Sequence, residues 1–292
     1  MIYKQERWFE AMVIVILLLV SAAMLFPFYY VLVVSFTAPL EFLTKGFVLF
    51  PRTWTLDSYR YLLSNNVFRD ATLVSVFLAT VGTALSLVVT SAGAYALSRK
   101  RLYGRRVFLL MILMTTLFNP GIIPPYILVK SLGLVNSIWA MVLPVLTSGW
   151  YMILMRGFFD SLPEELEEAA KIDGASDIGT FVRIILPLSM SSLAAFGLFY
   201  AVAYWNTFFS AVLYINKPSL QPLQIVLRQL LIDSTSTASG DAAHELSGGD
   251  VKLPTETVKM AAVMIATVPI LLVYPFLQKH FAKGVMVGSI KG

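Results

Sequence analysis

The chain has 292 residues, 58% of them hydrophobic and only 13% charged, with 22 Lys and Arg against 17 Asp and Glu for a formal charge of +5. That composition and a mean hydropathy of +0.76 lie far from the roughly 25% charged residues of soluble domains, so a membrane protein is expected. The absence of cysteine excludes disulfide frameworks, thiolate metal sites and cysteine nucleophiles. The basic excess gathers at one membrane edge, where headgroups and topology account for it, and this argues against nucleic acid as a partner.

A bilayer crossing takes about 20 consecutive, mainly apolar residues. Six stretches qualify, at about 11–35, 71–98, 107–129, 137–156, 188–214 and 258–279, so the fold class is an all-α polytopic membrane protein with six transmembrane helices. Residues 1–10 form a short N-terminus with Lys4 and Arg7, and the first apolar stretch is too long for a signal-peptide core, so it reads as an uncleaved span. In the loop that follows, within the 11–70 segment, Thr55, Tyr59, Leu62 and Leu63 recur at helical spacing. That spacing fits either a short amphipathic helix on the membrane or a packed connector.

After the second stretch, "RKRLYGRR" packs Arg99, Lys100, Arg101, Arg105 and Arg106 into eight residues. Short loops rich in Lys and Arg stay cytoplasmic. Strict alternation then places the N-terminus, the loop 157–187 and the tail with Lys279, Lys283 and Lys291 inside, and leaves 36–70, 130–136 and 215–257 outside. In the third stretch Asn119 precedes Pro120 and Gly121, where a kink is expected. In the fifth, Tyr200, Tyr204 and Phe208 fall four apart, with Trp205 and Asn206 beside them. These aromatic and amide groups are candidates either for a solute path or for helix packing. The outer segment 233–250 is rich in Ser, Gly, Ala and Asp without an apolar period and reads as mobile.

No Asp, Glu, Lys, Arg or His lies in the central part of any span, where such charges mark ion pathways. His244 in the outer loop and His280 at the inner end of the last span are not placed for a relay or a two-histidine metal motif. The chain contains no Gly-Lys pair, so a phosphate-cradling G-x-x-x-x-G-K-[ST] loop is excluded. Energy for uphill transport must therefore arrive from another polypeptide.

The surface for it is the acidic stretch "LPEELEEAAKIDGAS", Leu162 to Ser176. Ser161 with Glu164 fits a capping box, and Pro163 suits a first turn. Leu162, Leu166, Ala169 and Asp173 then form a small face with Ala170 beside it, and Glu164, Glu165, Glu167, Glu168 and Lys171 fill the remaining surface. Gly174 closes this helix, Ser176 or Asp177 caps a second one, and Pro187 separates that from the fifth span. On spacing alone this helical hairpin is either a solvated face or a docking element. A membrane-embedded enzyme would need a paired acid and base that the dispersed carboxylates do not supply. A channel without an ATPase fits the charge-free spans equally well.

From Glu168 the sequence reads E-A-A, three residues, Gly174, nine residues, then Ile184, one residue, Leu186 and Pro187. This resembles the EAA loop (here 160–187) of ABC importer permeases, and "AAKIDGAS" resembles the sugar-importing branch. "AYALSRKRLYGRR", "PPYILVKSLGLVNSIWAMVLP", "AYWNTFFSAVLYI" and "KHFAKGVMVGSIKG" extend the resemblance over about 15–292, closest to the maltose-system type and its LplC-like group. It implies a type I importer permease fold with a core at 71–283 and a cytoplasmic tail at 284–292, the tail serving either as an anchor or as an ATPase contact. It also implies that Glu168, Ala169, Ala170, Asp173, Gly174 and Ala175 belong to a coupling helix gripped by an ATPase. Asn119, Tyr200, Tyr204, Trp205 and Asn206 would border the path of a sugar or oligosaccharide. The implied partners are a second, distinct permease, two ATPase subunits that bind the ATP and Mg, and an extracytoplasmic binding protein. This chain would hold no cofactor, bind no metal and sit in the bacterial cell membrane.

Overall fold

The computed structural model describes the backbone of residues 2–236 and 255–288, and the side chains of 8–232 and 256–273. The outer segment 237–254 with His244, the end of the chain after Gly288, and the side chains of Lys4, Arg7, Lys279, His280 and Lys283 lie outside the described residues. Among those described there are helices and turns but no strand, apart from one isolated bridge between Thr37 and Trp54. The contacts divide the chain into two units, Met1–Arg69 with Leu227–Val268, and Asp70–Val226 with Pro269–Gly292.

In the first unit, α1 (Ile2–Ser35) is followed by α2 (Pro39–Lys45) and α3 (Asp57–Ser64). The connector between them is ordered by polar bonds to its backbone. Ala38 N–H donates to the Thr53 carbonyl at 3.2 Å and Thr55 N–H to that of Phe36 at 2.9 Å. The Glu41 carboxylate accepts from the amides of Arg52 and Thr53 and from Lys45. Its hydrogen bond to Lys45, then the Arg52 amide, hold its pKa down to about 2. On α3, Tyr59 bonds Ser35 at 2.8 Å and Leu62 is buried while Leu63 is exposed. The segment thus contains the short helix expected from its spacing, and that helix packs against the end of α1.

The second unit is built around Asp70–Ser98, the greater part of the continuous helical run Asn66–Ser98, made of α4 (Asn66–Phe77), a wider π turn at Leu78–Gly82, and α5 (Thr83–Ser98). Against it pack α8 (Gly149–Asp160) and α12 (Met190–Trp205), while α6 (Arg105–Leu117) lies on α8. Several side-chain hydroxyls of these apolar helices bond one another across the helix contacts. Ser86 bonds Tyr204 at 2.9 Å, and Thr90 bonds both Tyr200 at 2.7 Å and Thr147 at 3.0 Å. The Tyr204 ring lies where a Cβ on Gly82 would stand, 2.9 Å from its nearest atom. Only glycine lets the π turn and α12 approach this closely. Beyond α12 the chain adds α13 (Phe209–Tyr214) and α14 (Leu223–Ser236), and α15 runs from Thr255 to Gly288.

The six expected spans are not six unbroken helices. Three described helices are long and apolar enough to cross a membrane, Trp8–Ser35, Asn66–Ser98 and Glu256–Val273, and the number is five if two bent pairs each count as one span. The third expected span is split at 118–122 between α6 and α7 (Ile123–Ser131), because Pro120 removes a backbone donor and Gly121 turns to φ +78°. The fourth begins as 3-10 turns at Ile138–Met141 and Leu143–Val145 and bends 51° into α8. The fifth ends α12 at Trp205, where the Asn206 amide donates to the Val202 carbonyl at 2.9 Å, so Phe208 does not continue the helix of Tyr200 and Tyr204. The stretch 215–257, expected as loop, contains α14. The expected tail at 284–292 begins as helix, since α15 extends to Gly288.

Filling the Gly82 contact should therefore cost more than deleting the bond beside it. Gly82→Val is expected to destabilise the purified protein by about 1–3 kcal/mol through overpacking, and Tyr204→Phe by only about 0.6 kcal/mol. Thermal unfolding midpoints in one detergent compare the two directly.

Candidate functional site

The acidic stretch forms α9 (Glu165–Ile172) and a turn, and a second short helical run follows at Asp177–Leu188, made of α10 (Asp177–Thr180), a π turn at Phe181–Ile185 and α11 (Leu186–Leu188). Its closure is a Schellman motif: Ala175 N–H donates to the Ala170 carbonyl at 2.9 Å and Gly174 N–H to that of Lys171 at 3.0 Å. Gly174 has φ +78°, as the expected helix stop requires. Ser176 caps the second helix, its hydroxyl accepting from Gly179 N–H at 3.1 Å. The start differs from the expected capping box. Because α8 runs on to Asp160, Ser161 closes that helix and donates its hydroxyl to the Phe158 carbonyl at 2.7 Å. Glu164 takes the cap position of α9 without a side-chain bond to the helix.

The hairpin is fastened to the basic loop that leaves α5. Arg99 pairs with Glu167, Lys100 with Glu164 and Arg101 with Asp177, while Arg105 reaches Asp160 at 3.4 Å and Arg156 reaches it at 2.9 Å. The first pair is the buried one. Arg99 also donates Nε–H to Ser98 at 2.9 Å and lies over the Tyr95 ring, 4.7 Å from its centroid, and that ring stacks on Phe181 at 4.8 Å. Glu167 is only 8% exposed, which corrects its expected place on the polar surface. The Lys100 ammonium, hydrogen-bonded to Glu164, holds that exposed carboxyl below the usual carboxylate range.

Burying Glu167 fixes which face of α9 looks outward. Ala170 turns in beneath the helix, whereas Glu168, Ala169, Ile172, Asp173 and Gly174 are exposed and Ala175 is half-buried. The inward face is Leu166, Glu167 and Ala170, so the small face expected from Leu162, Leu166, Ala169 and Asp173 is divided: Leu162 and Leu166 are half-buried, whereas Ala169 and Asp173 are exposed. A Cβ on Gly174 would meet nothing within 4 Å, so there is space for a side chain within this chain. The demand for glycine there comes from backbone conformation.

The other named residues are dispersed. Tyr200, Tyr204 and Trp205 are buried, the tyrosines through the hydroxyl bonds to α5. Asn206 is exposed near Gln224, at 3.5 Å. Asn119 is exposed too, its side chain accepting from Gly121 N–H at 2.9 Å within its own turn. At the end of the unit away from the hairpin, Asn136 ties two loops: its side chain accepts from the amides of Asn216 and Lys217 at 2.6 and 3.1 Å. Leu223 N–H donates to Ser75 there at 2.8 Å. Among the described residues no cluster of His, Asp and Glu could hold a metal ion.

Sequence reasoning missed the pairing of Arg99 with Glu167. The available signal was charge matching, since alternation already put the five basic residues of 99–106 and the seven acidic residues of 157–187 at the same membrane edge.

Residues 90–287 match the family described as binding-protein-dependent transport system inner membrane component. The chain is 44% identical over 288 residues to the polygalacturonan/rhamnogalacturonan transport system permease protein YtcP of Bacillus subtilis, covering 99% of this chain and 100% of that protein. It is 46% identical over 290 residues to protein LplC of the same organism, covering 99% and 97%. Among solved structures it is similar to a chain of a bacterial ABC transporter involved in the import of the acidic polysaccharide alginate, with TM-score 0.86 and 30% identity over 95% of this chain and 98% of that one.

Removing one partner of the buried pair leaves the other charge stranded, so Arg99→Ala or Glu167→Ala should destabilise the hairpin by about 3–5 kcal/mol. Lys100→Ala, at an exposed pair, should cost at most about 1 kcal/mol. Proteolytic cutting within 161–176 should rise sharply in the first two and little in the third, and Arg99→Met with Glu167→Leu should restore most of the resistance.

Proposed function

The chain belongs to the family of binding-protein-dependent transport system inner membrane components, and from that premise we propose that it is the subunit forming half of the path of an ATP-driven importer for acidic oligosaccharides. An extracytoplasmic binding protein delivers the solute, a second permease of different sequence completes the path, and two ATPase subunits bind ATP and Mg. The end bearing the basic loop and the hairpin faces the cytoplasm, with both termini, as the excess of Lys and Arg favours.

The observation that carries this reading is the hairpin itself. Its inner face is locked to the end of α5 by the Arg99–Glu167 pair, and its outer face offers small and apolar groups, Ala169, Gly174 and the 86% exposed Ile172. A groove on an ATPase closes over such a helix, and closure of two ATPases draws two hairpins together. Glu168, Ala169, Asp173 and Gly174 make the contact, Ala175 borders it, and Ala170 holds the helix down from beneath. On the path side, Asn206 and Asn119 are exposed polar groups suited to a hydroxyl-rich solute, while Tyr200, Tyr204 and Trp205 shape the wall behind. The acidic saccharide is supported by the names of the relative for polygalacturonan and rhamnogalacturonan and of the alginate importer.

Ala169→Glu should leave membrane insertion intact while abolishing copurification of the ATPase and uptake. Gly174→Val should do the same, and Gly174→Asn should retain more uptake because Asn adopts φ > 0 more readily. Wild-type uptake in the first two variants would refute the coupling role. The solute class is tested by ATPase assays on the purified complex with its binding protein. Oligogalacturonates should stimulate hydrolysis more than neutral oligosaccharides, and stimulation by neither would refute the saccharide assignment.

A further inference from the structure

Where α1 ends and α3 begins, Phe36, Trp54, Thr55, Leu56, Asp57 and Arg60 line an open cleft of about 540 Å³. That lies within the roughly 300–1,000 Å³ typical of small-ligand clefts. Its floor is aromatic. The Phe36 ring packs against Tyr59 at 4.9 Å and against Trp54 at 5.9 Å, yet Trp54 remains 63% exposed. Its rim is polar: Asp57 and Arg60 lie one turn apart on α3 and approach at 3.8 Å. Their side chains are 50% and 78% exposed, so both have room to accept or donate to a ligand.

The cleft is rigid for a surface feature. The Thr37–Trp54 bridge, the Thr55 to Phe36 backbone bond and the Glu41 clamp on Arg52 and Thr53 fix the segment that carries Trp54. The Ser35–Tyr59 bond fixes α3 against the end of α1. A preorganised indole beside a guanidinium and a carboxylate suits a saccharide. Sugar rings present C–H faces to an aromatic surface and hydroxyls to a carboxylate, and a uronate adds the carboxylate that an Arg fork binds.

We propose that this cleft is a saccharide-binding subsite of the outer face, in which Trp54 stacks a sugar ring, Arg60 holds its carboxylate and Asp57 accepts its hydroxyls. The inference deepens the saccharide-import reading and rests on it. The subsite takes a sugar unit of the delivered chain and keeps the chain from diffusing away before it enters the path.

The test uses the complete permease–ATPase complex in lipid nanodiscs without binding protein, with trigalacturonate and a neutral trisaccharide as probes and saturation-transfer NMR as the readout. Trigalacturonate should bind in preference to the neutral probe. Trp54→Ala and Arg60→Ala should each weaken it at least about fivefold, the order expected for losing an aromatic contact or a charge-assisted hydrogen bond, and Trp54→Phe should retain most of it. Equal binding to wild type and Trp54→Ala would overturn the proposal. So would absent binding in a complex whose ATPase still responds to binding protein loaded with oligogalacturonate, an outcome that leaves the import reading standing. If no saccharide stimulates that ATPase, the import reading fails and the subsite with it. Two other results would overturn the subsite alone: a Trp54→Ala defect confined to affinity for the binding protein, or Trp54 fluorescence quenched by brominated lipid and unaffected by trigalacturonate.

Discussion

One buried ion pair organises the end of this protein that is proposed to receive force. Arg99 is the first residue after α5, and its guanidinium meets Glu167, Ser98 and the Tyr95 ring at once. A charge at a membrane edge is tolerated there because every direction in which it leans is answered. The arrangement also decides the geometry of α9. With Glu167 drawn inward, Ala170 follows it one turn later, and Ala169, Ile172 and Asp173 are left facing away. The hairpin's outward surface is thus a consequence of where its single buried acid goes.

This resolves the puzzle of an acidic helix in an apolar chain. Glu164, Glu167, Asp160 and Asp177 are matched by Lys100, Arg99, Arg105 with Arg156, and Arg101. The acids neutralise the basic loop that packs against them. One pair is buried and costly to break by removing a single partner, and the exposed ones contribute little each. Together they set register, so that the loop leaving α5 and the hairpin behave as one piece.

Much of this was legible in the residues. The glycine stop at 174 and the serine cap at 176 follow from local chemistry that acts over three to five residues, and both formed as read. The long helix through 71–98 follows from uninterrupted hydropathy. What local chemistry could not give was the partner of a side chain 68 positions away. A helical wheel assigns every glutamate to water, and only the approach of Arg99 makes position 167 an interior one. The same limit applies to the fifth span. A four-residue aromatic spacing is shared by packing and by a solute path, and it was the hydroxyls of Ser86 and Thr90 on another helix that took up Tyr204 and Tyr200. The break at Pro120 and Gly121 was legible as a kink, but its extent, five residues without helix, was not.

The run of α5 from Thr83 to Ser98 has no proline and a rise of 1.5 Å per residue, so it is a stiff rod of about 24 Å. At one tip it holds the hairpin through Arg99. At the other it meets the π turn, where Gly82 admits the Tyr204 ring without clearance. A displacement imposed on the hairpin has little slack in which to dissipate, and the tyrosine seated at residue 82 is where such a lever would deliver its stroke.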